Sequence, residues 1–267
     1  MKKFLTVALA GVLAASMLFT GCSKKAESKV PDKLIVGTNA EFPPFEYMND
    51  KKQPEGFDIA MIKEIGKRMG KKVEIKNMEF KSLIGAMESD SINAIIAGMT
   101  KTEKREKAVD FSDSYYTTNQ AIILKKDSKI TKLAQLDGKK IGVQEGTTGD
   151  LISSGDKFGD GKKAKVLVKG AKVKRFKKGV DAVMDLKNGS VDAVVIDELT
   201  ANEFVKKNAK KLKIVIDSAG SEYYCIALTK GNTAYKEEVN KQIKAIKEDG
   251  TYAVSYTHLR AHETVLD

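Results

Sequence analysis

Histidine is almost missing from this chain of 267 residues, because its only two copies, His258 and His262, fall within the last ten positions. The body before them therefore has no Ser-His-Asp or Cys-His nucleophile arrangement and lacks the commonest metal ligand. Any chemistry would have to run on carboxylates, lysine or tyrosine, so no metal and no cofactor is expected. Cysteine is equally scarce, with Cys22 and Cys225 alone. Cys225 lies in the apolar run Tyr224 to Leu228, which predicts a buried small side chain rather than a reactive thiol. The apolar run Phe4 to Phe19 is shorter than the roughly 20 residues that a membrane-spanning helix needs.

That run still carries information. Lys2 and Lys3 precede it, and it closes on Leu18-Phe19-Thr20-Gly21-Cys22-Ser23. A charged start, an apolar middle and a small residue at the boundary are the marks of an export signal. A Cys directly after the small residue resembles a bacterial lipobox, in which the thiol is lipidated before cleavage, although Phe19 stands where Leu is usual. The alternative is a plain secretory signal with an incidental Cys. Ser23 to Asp32 is polar and lysine-rich, as a tether between anchor and folded body would be. The expected address is extracytoplasmic, with Cys22 lipidated and anchoring the chain to the bacterial cell membrane.

The formal net charge is +11, which raises the question of nucleic acid. The densest basic stretch, from Lys162 to Lys178, holds Phe176 as its only aromatic and has no glycine-rich phosphate loop or finger motif. It reads as a solvated lysine surface near anionic headgroups, and no nucleic-acid partner is expected.

Hydrophobic content of 42% is enough for a core. The body alternates short β-rich runs with helical spacing. Leu34 to Val36, Val73 with Ile75, Ala94 to Ala97, Ile141 to Val143, Val191 to Ile196 and Ile214 to Ile216 read as strands. Met61, Ile62, Ile65 and Met69 share a helical face, as do Leu83, Ile84 and Met87. Val180, Val183 and Met184 stripe a helix ending at Asn188-Gly189, and another helix runs from about Glu198 to Lys207. Tyr235, Val239, Ile243 and Ile246 mark a last amphipathic helix. Repeated βα units argue for open α/β sheets. The segment Ala86 to Ile96 is similar to Val183 to Val195: helix, polar turn, buried strand. Two copies that far apart suggest two lobes built from one unit.

Six segments in unbroken order resemble the polar amino-acid-binding proteins of ABC importers, the type II periplasmic-binding-protein family in its lipoprotein form. They are Val36 to Tyr47, Gly56 to Ile59, Ala97 to Thr100, Thr102 to Arg105, Asp110 to Tyr116 and Gly142 to Gly149. The resemblance covers about residues 33 to 252. It implies an α/β, two-lobed fold, each lobe an open, mostly parallel sheet flanked by helices, with a two-stranded hinge near Tyr116 to Gln120 and Ala219 to Tyr223. Lobe 1 would comprise residues 33–117 and 222–252, lobe 2 residues 118–221, after a signal (1–21) and tether (22–32). Residues 253–267 depart from the family and read as an atypical, non-native tail.

The residues themselves suit a free amino acid. A guanidinium fork is the best partner for a carboxylate, and Arg105 is the candidate, with Thr100 beside it. Thr147 and Thr148 follow Gly146 at a strand-to-helix turn, where amides are free to meet an anion. By resemblance Asp197 takes the ammonium, its alternative being a helix cap. Phe42 and Phe80 would wall the ligand's stem, with Ala97, Gly98 and Met99 completing that side, while Phe45 and Phe57 belong to core. Asn39 and Gln144, both neutral amides, would read the side-chain tip. The implied partners are a free polar L-amino acid, basic or amide side chains favoured, and the permease subunits of a transporter; a monomer is expected. It is read as a binder and not an enzyme. Two alternatives stand beside this reading: a prephenate- or arogenate-type dehydratase on the same fold, and a ligand-sensing ectodomain.

Overall fold

The computed structural model describes residues 28–155, 168–216 and 221–253. Cys22, the signal, most of the tether and residues 254–267 lie outside the described residues. In chain order the elements are β1 (Lys33–Thr38), β2 (Glu41–Phe42), β3 (Glu46–Met48), β4 (Pro54–Glu55), α1 (Phe57–Arg68), β5 (Lys72–Asn77), α2 (Leu83–Glu88), β6 (Ala94–Ile95), α3 (Glu103–Glu106) and β7 (Val109–Thr118). There follow β8 (Gln120–Lys125), β9 (Lys140–Gln144), α4 (Thr148–Ser154), β10 (Lys172–Phe176), α5 (Gly179–Asn188), β11 (Ala193–Asp197), α6 (Glu198–Lys206), β12 (Leu212–Ile216), β13 (Glu222–Thr229) and α7 (Thr233–Glu248).

Two sheets of five strands organise these elements. The first runs β5-β1-β6-β13-β7 and the second β10-β9-β11-β8-β12, with β2, β3 and β4 forming a small antiparallel sheet. In each large sheet the first three strands are parallel and the last two pairings antiparallel. The repeat seen in the sequence sits at matching places: α2 leads into β6 and α5 into β11, and each is its sheet's central strand. The fold is a mixed α/β arrangement of two lobes. The chain passes from the first sheet to the second between β7 and β8, and returns between β12 and β13.

The helical stripes explain most of the burial. In α7, Tyr235, Val239, Ile243 and Ile246 are all buried, each contributing about 1.5–3 kcal/mol by area. In α1, Met61, Ile62 and Ile65 are buried, while Met69 forms the C-cap. The reading of α5 needs correction. Its buried residues are Gly179, Ala182, Val183 and Leu186, whereas Val180 and Met184 are 38% and 55% exposed. Val180 and Met184 do share a face by period, but Gly142 and Ala182 approach closely under that helix, so the seam follows the small residues. Gly189 caps α5 in the left-handed region, as expected. Strand β6 is only two residues long, shorter than the run Ala94 to Ala97 suggested. Cys225 is buried, and burial pushes its thiol up to about 11.

Candidate functional site

Lobe 1 supplies a guanidinium. Thr102 caps α3 by accepting from the Arg105 amide at 3.3 Å, which fixes the helix start and the direction of Arg105. Arg105 Nη1 donates to the Thr100 carbonyl at 2.5 Å, and Nη2 crosses the cleft to the Gly146 carbonyl at 3.0 Å. Its carbon lies 5.3 Å from the centre of the Phe80 ring, within cation–π range. The side chain is buried, and among the described residues no carboxylate lies within ion-pairing distance of it. Burial pulls Arg105 down to about 10, opposed by the charges of Glu222 and Asp197. An interior cation with only neutral acceptors is an expensive arrangement that an incoming anion would relieve.

The loop beside it is held from behind. Gly98 donates its amide to Asp58 Oδ2 at 2.8 Å, and the Tyr115 hydroxyl donates to the same oxygen at 2.8 Å. Gly98 has φ +52, and a Cβ there would stand 3.1 Å from the Phe42 ring and 3.3 Å from Tyr224. Glycine thus permits both the turn and the ring contact. Glu46 and Asp58 are both fully buried. Burial, then the neighbouring Asp58 charge, holds Glu46 well above the ordinary glutamate range. Burial raises Asp58 to about 6, against the stabilising bonds from Gly98 and Tyr115. Burial and the neighbouring Asp58 charge thus favour the protonated form of Glu46.

Lobe 2 supplies a capped turn and a carboxylate. Thr147 caps α4, its hydroxyl donating to the Gln144 carbonyl at 2.8 Å and accepting from the Asp150 amide at 3.3 Å. Asp150 Oδ2 accepts from the Gly146 amide at 3.0 Å, and both Asp150 oxygens accept from Arg175 Nε at 3.0 and 2.9 Å. Asp197 closes β11 and stands at the N-terminal boundary of α6, yet its side chain makes no capping bond. Its Oδ1 instead accepts from the Tyr224 hydroxyl at 2.7 Å. Burial, then the charge of Glu222, raises Asp197 above the ordinary aspartate range. That environment favours a cation arriving beside it.

The two halves meet around a small, nearly filled cavity. Its lining comprises Phe42, Phe80, Ala97, Gly98, Thr100 and Arg105 from lobe 1, with Gln144, Thr147, Thr148 and Asp197 from lobe 2. A wider, more open groove runs past Arg105 and Gly146 and includes Met99. It lacks Asp197, and its buried carboxylate, Asp150, is already paired with Arg175.

Three expected residues stand off that lining. Met99 is buried in lobe 1's core, Gly146 contributes its carbonyl to Arg105, and Asn39 sits behind Gln144. The two amides are engaged with each other across the cleft. Gln144 Nε2 donates to Asn39 Oδ1 at 2.8 Å and to the Lys177 carbonyl at 3.3 Å, and Asn39 Nδ2 donates to the Met78 carbonyl at 2.8 Å. Gln144 Oε1 is left buried with no partner, an acceptor open to a donating group. Phe45 and Phe57 are core residues, 0% and 4% exposed.

Tyr224, Glu222 and Gln120 were not singled out in the sequence. Register places Gln120 opposite Asp197 and Thr100 opposite Tyr224, so all three flank the site only once the strands pair. The one sequence signal was polar residues opening the strands on either side of the expected hinge. The cleft's rim carries three ion pairs between the lobes: Lys81–Glu145 at 2.9 Å, and Lys177–Glu79 and Lys178–Glu41 at 2.7 Å each. Exposed pairs of this kind contribute about 0–1 kcal/mol apiece.

Two lobes, two crossings and a polar cavity shut between them define a class of protein that closes around a small solute. The comparisons agree, and the chain belongs to the bacterial extracellular solute-binding proteins, family 3, whose sequence profile matches residues 34–258. It is 33% identical over 253 residues to the arginine-binding extracellular protein ArtP of Bacillus subtilis (strain 168), covering 94% of each chain. Among solved structures it resembles an ancestral arginine-binding protein bound to arginine, at 42% identity and a TM-score of 0.78, covering 86% of this chain and 99% of that one. It also resembles the ancestral amino acid-binding protein AncCDT-1, a precursor of cyclohexadienyl dehydratase. There the identity is 32% and the TM-score 0.75, covering 85% of this chain and 95% of that one.

Proposed function

We propose that this chain is the extracytoplasmic substrate-binding protein of an ABC importer. It captures a polar L-amino acid, with a basic or amide side chain favoured, by hinge closure. The observation that carries this reading is Arg105: a buried guanidinium with no carboxylate partner among the described residues, facing Asp197 from the opposite lobe across one cavity. The ligand's carboxylate would pair with Arg105 and its ammonium with Asp197. Phe42 and Phe80 would flank its stem, and Gln144 Oε1 would accept from a guanidinium or amide tip. The names of the relatives support an amino-acid ligand.

In this reading Cys22 carries the lipid, the chain sits outside the cytoplasmic membrane as a monomer, and it hands its cargo to permease subunits. Cys22→Ala expressed in a bacterial host should leave the membrane fraction; unchanged retention would refute the anchor. Lobe 1 then comprises 33–117 and 222–252, lobe 2 comprises 118–221, and 253–267 lies apart from the site. The chain binds without turnover. The AncCDT-1 neighbour keeps a dehydratase in view, and conversion of prephenate or arogenate by the purified protein would favour that rival. A thermal-shift screen over the common amino acids tests the main reading, with affinity expected near micromolar, about −8 kcal/mol. No shift with any amino acid would overturn it.

A further inference from the structure

Glu222 is the first residue of β13, the strand that follows the second crossing between the lobes. Its Oε2 accepts two short hydrogen bonds from opposite sides of the cleft: Thr100 Oγ1 of lobe 1 at 2.7 Å and Thr148 Oγ1 of lobe 2 at 2.7 Å. Thr148 in turn accepts from Gln120 Nε2 at 3.2 Å. Both threonines line the enclosed cavity, and Glu222 stands directly behind them. We propose that Glu222 is a specificity-determining residue of the ligand site, a hinge carboxylate whose charge makes the cavity select amino acids of net positive charge.

The argument is one of charge balance, and it rests on the amino-acid reading above. Arg105 and Asp197 are buried at the cavity and Glu222, half-buried, stands behind its threonines; ionised, these three sum to −1, and buried Asp58 behind Gly98 adds no positive charge to offset it. The rim lysines do not alter this, since Lys81, Lys177 and Lys178 are each paired with a glutamate. A zwitterion with a neutral side chain adds no charge and leaves one anion uncompensated. A ligand with a cationic side chain offsets that excess. In a site shut off from water, that difference is felt over several ångströms rather than only at contact. The charge of Glu222 does reach both poles, raising Asp197 and opposing the fall of Arg105. Selection for a cation therefore does not require a carboxylate at the side-chain tip, where Asn39 and Gln144 are neutral.

Glu222 touches no ligand in this arrangement, so it acts as a positioning residue as well as a charge, and the two roles separate by substitution. Glu222→Gln keeps an oxygen acceptor for the threonines and removes the charge. Glu222→Asp keeps the charge and shortens the reach. Calorimetry of the full protein with L-arginine and with L-glutamine reads the ratio of the two affinities. In Glu222→Gln the preference for arginine should fall by about tenfold relative to wild type, the effect of one charge several ångströms away at an intermediate dielectric. In Glu222→Asp both ligands should bind more weakly while the ratio stays near that of wild type. An unchanged ratio in Glu222→Gln, or an equal loss of ratio in both variants, would overturn the inference and leave the amino-acid reading standing. Wild-type protein that binds neither ligand would instead overturn the reading itself, and the inference with it.

Discussion

Lobe 1 backs its half of the cleft with a cluster of rings, while lobe 2 lines its half with polar side chains. Phe45 sits at the middle of the ring cluster, with Phe57, Tyr116 and Tyr224 edge-on to it at 6.4, 5.0 and 5.1 Å. Lobe 2 contributes Gln144, Thr147, Thr148 and Asp197 to the lining, and Ile122, Leu124, Ile141, Val143 and Val195 are buried together in its core. The polar groups differ in the same way. Arg105 is held mainly by its own lobe, through Thr102, the Thr100 carbonyl and Phe80, and the Gly98 loop is fixed by Asp58 and Tyr115. Lobe 2's groups lean on the other lobe: Asp197 on Tyr224, Thr148 on Glu222, and Gln144 on Asn39. Lobe 1 therefore builds the Arg105 half of the cavity largely by itself. Lobe 2's half is complete only when the lobes meet, which in the proposed function would tie ligand capture to closure.

The largest test of that asymmetry is at the ring cluster. Phe45→Ala should cost about 3–5 kcal/mol of stability in denaturant unfolding. A loss below about 1 kcal/mol would mean that lobe 1 is not organised around its rings. Tyr224→Phe removes only the hydroxyl that Asp197 accepts from, and should weaken amino-acid binding by about 1 kcal/mol, roughly fivefold. Binding as tight as wild type would show that Asp197 does not depend on the other lobe.

A pH experiment sharpens the account of the pair behind Gly98. Because Glu46 is held above its ordinary value, the folded chain keeps a proton there that the unfolded chain has released. Stability from this group is fully present below the ordinary glutamate range and is lost as pH rises toward the raised value. Asp58, raised to about 6, acts in the same direction over a lower window. Scanning calorimetry should find that wild type gains stability from pH 7 to pH 5 relative to Glu46→Gln. Parallel pH profiles would contradict a buried proton at Glu46. The smallest expected effect is at the C-terminus. Removing residues 253–267 should leave affinity unchanged and shift stability by no more than about 1 kcal/mol. Tyr252, which stays, donates to the Tyr115 carbonyl at 2.7 Å and packs on Phe57. Loss of folding on truncation would place the tail within the domain.

Much of the fold was legible because period and register leave marks in one dimension. The stripe of α7 and the twin helix-turn-strand units announced both sheets, and the resemblance carried the lobes and their crossings. The α5 face misled because Val180 and Met184 are apolar at the right spacing, whereas the buried seam uses Gly179 and Ala182, whose small size carries no hydrophobic signal. At the site, residue types suited to an amino acid were visible one at a time. The engagement of Asn39 by Gln144, and the bridging of Thr100 and Thr148 by Glu222, were not. Each joins residues from different elements, and only strand pairing and lobe contact bring them together.

The central claim is that Arg105, buried with no carboxylate partner among the described residues, receives a ligand carboxylate. Calorimetry of wild type and Arg105→Ala with L-arginine and with agmatine, the same molecule without its carboxylate, tests it most directly. L-arginine should bind wild type and lose at least about a hundredfold in affinity in Arg105→Ala, about 3 kcal/mol, the scale for truncating one partner of a buried charge pair. Agmatine should bind both proteins weakly and nearly alike. Equal loss for the two ligands, or L-arginine bound normally by Arg105→Ala, would contradict the account.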